Sequence, residues 1–227
     1  LIHFVSHEVK SFLTKDANAM AMLADGDFGA LPEQAKSFVE SALAQAREGT
    51  RSVMSILQAA NLKKGTITYK MEPIDISALV KKSFAALAPL AQERGLSFTL
   101  SIGKQTEPYN VVGDADQLRE HVFRNLIENA IVYTQKGSVT VTLEKNNDGK
   151  VIFSVKDTGV GISDEDKERL FTEGGHGKNS IKVNAHSTGY GLYIVKQIID
   201  AHHGTVRAES KGSGDGSRFV VEFPIKT

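Results

Sequence analysis

The chain has 227 residues, of which 41% are apolar and 24% are charged, values typical of a globular protein rather than a disordered or collagen-like one. Lys plus Arg (27) equals Asp plus Glu (27), so no overall basic charge favours nucleic acid, and we predict no nucleic-acid partner. The absence of Cys excludes disulfides, Cys-ligated metal sites and a thiol nucleophile.

The first third of the chain predicts two long amphipathic helices. Apolar residues recur at helical spacing from Ile2 to Ala24, and a second stripe runs from Ala35 to Ala60 after a cluster of turn formers. One hairpin cannot cover both stripes, so we predict that two hairpins pack as a dimeric four-helix bundle and that the protein is a homodimer. The chain starts in helical periodicity and without Met, so we expect a fragment of a longer protein.

The periodicity changes after Lys64, and we predict two domains, 1–64 and 65–227. The predicted elements of the second domain are strands at 66–72, 96–102, 139–143, 151–155, 204–210 and 217–225, and helices at 75–94, 114–134 and 192–202, with a short helix starting at Ser163. Asp114 and Gln117 form a capping-box signature, and Asn146-Asn147-Asp148-Gly149 predicts a hairpin turn. Together these predict an α+β fold, with an α/β sandwich after the helical hairpin.

One histidine lies on the polar face of the first helix. At about 100° per residue the apolar stripe is centred opposite His7, so this side chain contributes nothing to the core. Its neighbour Glu8 can hold one ring nitrogen and leave the other as a nucleophile, as a transfer reaction requires. The alternatives are an ordinary surface histidine or a metal pair with His3, which has no third ligand nearby in the sequence.

Amide side chains occupy an inward face of the helix after Asp114. Asn125, Asn129 and Tyr133 follow one another at intervals of four and share the stripe of Leu118. Buried amides are unfavourable unless something satisfies them. Either the two asparagines form a hydrogen-bonded core pair, or their oxygens meet a metal–phosphate group while Tyr133 offers a ring face.

Two glycine-rich turns complete the set. Asp157-Thr158-Gly159-Val160-Gly161-Ile162 directly follows a strand, so its backbone can approach a planar ligand while the carboxylate accepts from an exocyclic amine. Ser187-Thr188-Gly189-Tyr190-Gly191-Leu192 opens a helix and is either an anion site or only a turn that starts the helix. It lacks the Gly-Lys-Ser/Thr end of a Walker loop.

Together these segments resemble the cytoplasmic core of a sensor histidine kinase of a two-component system. That core is a dimerisation and histidine phosphotransfer hairpin followed by a catalytic ATP-binding domain of the gyrase, chaperone and histidine kinase fold. The matching segments are 4–10 (H box), 125–130 (N box), 157–162 (G1 box), 189–192 (G2 box) and 216–219 (the closing glycine–hydroxyl element).

The resemblance implies ATP-dependent autophosphorylation of His7, with Glu8 on its other ring nitrogen, and relay to an aspartate of a response regulator receiver domain. It implies that Asn125 and Asn129 ligate Mg²⁺, that Asp157 reads the adenine amine and that residues 171–188 form an ATP lid. It also implies a cytoplasmic location and a missing upstream sensor domain, in a full-length protein that can be membrane-anchored. The further nucleotide contacts that it implies are Tyr133, Gly159, Gly161, Ile162, Lys178, Thr188, Gly189, Tyr190, Gly191, Leu192 and Ser217.

Three departures from the family pattern bear on activity. Val132 stands where the family usually has Lys or Arg, so Lys178 or His176 would have to supply that cation. The lid motif keeps one of its two aromatics. Ser11 stands four residues after His7, where phosphatase-competent relatives usually have Thr or Asn; its hydroxyl can still position water, which leaves phosphatase activity open.

Two other functions compete with phosphorylation of His7. Gyrase-type ATPases hydrolyse ATP with a glutamate four residues before the magnesium asparagine, and Asn125 at that place cannot act as a base. A dimeric scaffold with an inactive pocket would fit the cation missing at Val132.

Overall fold

A computed structural model describes residues 2–103, 108–175 and 188–224, with the side chains of the first helix described at Val9 and from Ser11 onward. The chain forms two compact units, Leu1–Ile67 and Thr68–Thr227. The sequence places the boundary after Lys64, and the compact units divide after Ile67. Within the described ranges, we find no helix whose length and apolar character would suit a membrane span.

The first unit is a helical hairpin. Helices α1 (Ile2–Asp25) and α2 (Glu33–Lys63) match the two predicted helices and pack along one another. Their shared face buries Ala17, Leu43 and Ala59. Much of both apolar stripes stays uncovered within one chain, since large apolar side chains remain exposed at Phe12, Met22, Phe38 and Ile56.

The second unit combines strands and helices. In chain order its described elements are β1 (Glu72–Asp75), α3 (Ile76–Glu93), β2 (Ser97–Ile102), β3 (Asn110–Gly113), α4 (Ala115–Gln117), a π-helical stretch (Leu118–Phe123), α5 (Arg124–Val132), β4 (Ser138–Lys145), β5 (Val151–Asp157), α6 (Asp164–Lys167), α7 (Gly191–Ala201), β6 (Thr205–Glu209) and β7 (Ser217–Phe223).

A five-stranded sheet in the order β2-β4-β5-β7-β6 forms one layer of this unit. Strands β4 and β5 pair antiparallel around the predicted Asn146 turn, which confirms that hairpin. The β2–β4 pair is parallel, because the helical stretch from α4 to α5 carries the chain back between these strands. Strands β1 and β3 form a separate antiparallel pair.

The core lies between one face of the sheet and the helices. The helical stretch from α4 to α5 packs against α3, α7 and the sheet, which confirms the mixed α/β fold. The largest side chains at this interface are completely or almost completely buried; they are Leu118, Phe123, Leu126, Ile127, Ile131, Leu143, Phe153, Ile198 and Ile199.

The start of the second unit differs from the prediction. No strand is described before Glu72, so the strand predicted at 66–72 is wrong except at its last residue. The reason is that the Lys70 amide donates to Asp114 Oδ2 at 3.0 Å instead of joining a sheet. The sequence also gives no sign of β3, whose four residues are too few for a clear alternation.

Candidate nucleotide-binding site

The predicted amide pair lies on one face of α5. Asn129 Nδ2 donates to Asn125 Oδ1 at 3.0 Å, and both side chains are partly buried. This bond joins the two amides, as the core-pair interpretation requires. The bond uses only the amide oxygen of Asn125 as an acceptor. Asn129 Oδ1 has no hydrogen-bond partner among the described residues. The pair therefore offers an oxygen ligand at the surface of α5.

The second glycine-rich turn meets this pair. A Cβ atom built on Gly191 would lie 2.7 Å from Asn125 Nδ2, so any larger residue here would force the Asn125 amide to shift. Thr188, Gly189 and Tyr190 precede α7, and Leu192 lies in its first turn. The first amides of a helix have no partner within the helix and suit an anion. The structure thus brings the predicted anion turn and Asn125 together.

Asp157 ends β5 as a buried carboxylate, 4% exposed. Its Oδ1 accepts from the Gly159 amide at 2.8 Å and the Ser217 amide at 3.2 Å, and its Oδ2 accepts from the Ser217 hydroxyl at 2.5 Å. Burial raises the pKa of Asp157 above its ordinary value, and this outweighs the hydrogen bonds from Ser217 and Gly159, which lower the pKa. One lone pair of Oδ2 stays available for a ligand donor.

The turn after Asp157 is joined to the end of α5. The Tyr133 carbonyl, at the C-terminal cap of α5, accepts from the Val160 amide at 3.1 Å. Ile162 closes the turn with its side chain 8% exposed. The end of α5, the turn after β5 and the first residue of β7 therefore surround Asp157, as the predicted site requires.

A second turn supports the first one, and the sequence interpretation missed it. Ile162 N donates to Ser210 Oγ at 3.1 Å, and that oxygen lies 2.7 Å from the Gly216 carbonyl. Lys167 Nζ donates to the Ser210 carbonyl at 2.7 Å. The signal for this contact was the alternation of Gly and Ser between the last two strands, which indicates a tight turn without indicating its partner.

Arg94 is a second residue that the sequence interpretation missed. Its guanidinium Nη1 donates to the Val132 carbonyl at 3.4 Å, although Arg94 follows α3 and is distant in sequence. A cation therefore lies beside the helix end where the family pattern has Lys or Arg.

Several predicted site residues belong to the first unit or fall outside the described residues. His7 and Glu8 belong to α1, but their side chains are outside the described part, while Ser11 is described and half-buried. Lys178 and His176 fall in 176–187, which the structure does not describe. At the start of the predicted lid, the Phe171 ring packs edge-on against Phe219, with 6.4 Å between centroids.

We predict that Gly161→Ala destabilises the second unit far more than Gly174→Ala does. Both glycines have φ +68°, but a Cβ on Gly161 would lie 2.0 Å from the Gly212 carbonyl, whereas Gly174 has nothing within 4 Å. Left-handed strain of about 1–2 kcal/mol is common to both variants. Forcing the two turns apart adds about 1–3 kcal/mol at Gly161 alone. Thermal unfolding measures the difference, and equal losses would mean that the turns separate freely.

The fold and the site define a class of protein. A mixed sheet covered by helices, with an asparagine pair, a buried aspartate and two glycine turns along one edge, is a nucleotide-binding domain of the ATPase type. Residues 113–227 match the family described as histidine kinase-, DNA gyrase B-, and HSP90-like ATPase. The chain belongs to this family, and its second unit is a catalytic ATP-binding domain of the sensor histidine kinase kind.

Individual relatives agree with this assignment. The chain is 27% identical to the circadian input-output histidine kinase CikA of Synechococcus elongatus, over 98% of this chain and 29% of that protein. It is 28% identical to the sensor-like histidine kinase SenX3 of Mycobacterium tuberculosis, over 97% of this chain and 52% of that protein. The chain thus spans 29% of the length of the first relative and 52% of the length of the second.

Solved structures give the same result. Full-length ShkA in complex with AMPPNP superposes with a TM-score of 0.76 and 25% identity, over 100% of this chain and 46% of that one. The Acinetobacter baumannii histidine kinase AdeS superposes with a TM-score of 0.65 at 22% identity, over 95% of this chain and 96% of that one, and shows the fold alone.

Proposed function

We propose that this chain is an ATP-dependent protein-histidine kinase that phosphorylates its own His7 and passes the phosphoryl group to an aspartate of a response regulator. The observation that carries the proposal is the arrangement of these groups along α5: Asn125 meets Gly191 near the start of the helix, and the turn that follows the Asp157–Ser217 pair is bonded to its end. Such a site offers an acceptor for an amine and donors for an anion, which is the polarity of ATP.

The acceptor group is a histidine rather than water. Hydrolysing members of the fold need a base near the phosphates, and the corresponding residue here is Asn125, whose amide already accepts from Asn129. In the proposed step the terminal P–O bond of ATP breaks with its electrons leaving on ADP, and a P–N bond forms to a ring nitrogen of His7. Glu8 accepts or holds the proton on the other ring nitrogen.

A divalent cation fits the asparagine pair. Among the described residues no three His, Asp or Glu side chains converge on one point, so amide oxygens and the phosphates themselves would hold the ion. We propose Asn129, with Asn125, as the Mg²⁺ ligands. When bound, the ion supplies neutralisation of phosphate charge, while this chain's own residues orient the nucleotide.

Val132 does not argue for an inactive scaffold. Arg94 lies beside Val132 and can contribute a positive charge at this helix end. Lys178 remains our second candidate. A phosphatase role for Ser11 stays a proposal, supported by its half-buried place one turn after His7 in α1.

We propose that a second copy of the chain covers the exposed stripe of the hairpin and completes a four-helix bundle. The bundle would present both copies of His7, and Gly65 would act as the hinge between hairpin and catalytic unit. A cytoplasmic location follows from ATP as the substrate. The upstream sensor domain and the receiver domain are the further partners that this function requires.

We expect sedimentation to give a mass close to twice 24.6 kDa. Phe38→Glu should shift the protein to monomer, since Phe38 is 74% exposed on the stripe of α2. Phe28→Glu is the matched control, because Phe28 is 73% exposed but lies in the turn between the helices. A monomeric wild type, or equal effects of both variants, would contradict the bundle.

The experiment that tests the kinase proposal is incubation with γ-labelled ATP and Mg²⁺, followed by acid and base treatment of the protein. We expect label that is lost in acid and retained in base, as for phosphohistidine. An unlabelled protein that binds ATP would support the scaffold instead.

A further inference from the structure

A buried histidine at the far end of α7 takes no part in the proposed chemistry. His202 is 2% exposed, and its ring bonds at both nitrogens: Nε2 accepts from the Asp114 amide at 2.9 Å, and Nδ1 donates to the Ile198 carbonyl at 2.7 Å. Only a neutral ring with its proton on Nδ1 can make both bonds. Burial lowers the pKa of His202 below its ordinary value, which agrees with that neutral form.

The two hydrogen bonds of the His202 ring differ in whether the bonded backbone group has another partner. The Ile198 carbonyl also accepts from the His202 backbone amide at 3.1 Å, so it keeps a partner without the ring. The Asp114 amide has no described acceptor except His202 Nε2. The ring also fills the space beside Gly113, where a Cβ would lie 2.8 Å from its Cδ2.

This contact joins the two helices that frame the nucleotide site. Asp114 caps α4, and the continuous helix from there carries Asn125 and Asn129. His202 follows α7, whose first residue is Gly191. The two helices meet again where Gly191 touches Asn125. The His202–Asp114 bond and the Gly191–Asn125 contact therefore fix the spacing of these helices at two separate points.

The same aspartate also binds the segment with which the second unit begins. Asp114 Oδ2 accepts from the Lys70 amide at 3.0 Å, and the Tyr69 ring lies edge-on to His202 with 5.5 Å between centroids. Tyr69 and Lys70 thus contact His202 and Asp114, the two residues that form the bond.

We propose that His202 is a positioning residue for nucleotide binding, which acts by holding Asp114 and so sets the spacing between the Asn125 and Gly191 walls of the site. The inference rests on the proposed ATP site for its readout. The effect of His202 on nucleotide binding depends on its bond to the Asp114 amide and not on its bond to the Ile198 carbonyl. Variants that keep one bond and lose the other therefore test the proposal.

Two substitutions of His202, made in the full chain, distinguish the effects of its two hydrogen bonds. His202→Gln places an amide oxygen near the position of Nε2 and can still accept from Asp114, whereas His202→Asn places its amide near Nδ1 and can only replace the bond to Ile198. Tyr109→Phe is a control for stability alone, because it removes hydroxyl contacts with Gly103 and Leu143 at another part of the sheet. ATP affinity by calorimetry and amide exchange at Asp114 without nucleotide are the two readouts.

We expect His202→Gln to bind ATP within about threefold of wild type, and His202→Asn to bind about tenfold more weakly with faster exchange at Asp114. Tyr109→Phe should leave affinity unchanged. Equal affinity in both His202 variants, or weakening that merely follows the loss of thermal stability, would overturn the positioning role. A wild type that fails to bind ATP would instead overturn the proposed function, and the exchange rates would still report whether His202 holds Asp114.

Discussion

Replacing His7 with Gln should reduce incorporation of labelled phosphate into the protein to background. The Gln amide nitrogen is not a nucleophile, because its lone pair is delocalised into the carbonyl, so no P–N bond can form. ATP binding should be unchanged, since the residues of the proposed nucleotide site belong to the second unit. The measurement is label per chain after incubation with γ-labelled ATP and Mg²⁺, with ATP affinity determined on the same preparation.

His3→Gln is the matched control for this change. His3 lies one turn before His7 in α1, and the substitution is chemically identical. We expect His3→Gln to retain full labelling. Label that persists in His7→Gln would place the acceptor at another of the seven histidines and remove the central role of the H-box segment.

Asp157→Asn should weaken ATP binding by roughly 5- to 150-fold, which is the effect of about 1–3 kcal/mol for an unmade buried hydrogen bond. The amide keeps one oxygen for the Gly159 and Ser217 amides, and the Ser217 hydroxyl can turn to accept from the new NH₂ group. The fold should therefore survive, while the acceptor for the adenine amine is lost. Unchanged affinity would mean that the adenine binds elsewhere.

Asp148→Asn is the control, because it makes the same chemical change in the exposed turn at the other end of β5. The pH dependence gives a second test. Burial raises the pKa of Asp157 above 3.8, so the carboxylate becomes protonated at a higher pH than an ordinary aspartate would. ATP affinity in the wild type should therefore fall as the pH is lowered through that raised pKa, and Asp157→Asn should lack this step.

Local patterns predicted most of the elements. Asp114 accepts from the Asp116 and Gln117 amides as its capping signature indicates, and Ser163 caps its short helix in the same way. The turn at Asn146 and the alternation in its flanking strands specify the β4–β5 hairpin. Such features depend on residues within a few positions of one another, so one sequence is enough to identify them.

The features that escaped prediction depend on contacts between distant segments. The leading segment bonds to an aspartate 44 residues further along the chain, which no periodicity at 66–72 can indicate. The predicted helix 192–202 ends at His202, and the bond of this histidine to Asp114 spans 88 residues. Likewise, Asp157 and Ser217 lie side by side because of the register between β5 and β7. The sequence alone placed the two residues in separate motifs and did not predict that they pair.

The most direct test of the whole account is the partition of the γ-phosphoryl group between protein and solvent. The wild-type chain should be incubated with γ-labelled ATP and Mg²⁺, and labelled protein and free phosphate should be followed from the first turnover. Transfer to His7 predicts that labelled protein accumulates first and that free phosphate appears only as the phosphohistidine decays. Free phosphate released from the start without labelled protein would contradict the account and place the chain among the ATP-hydrolysing members of the fold.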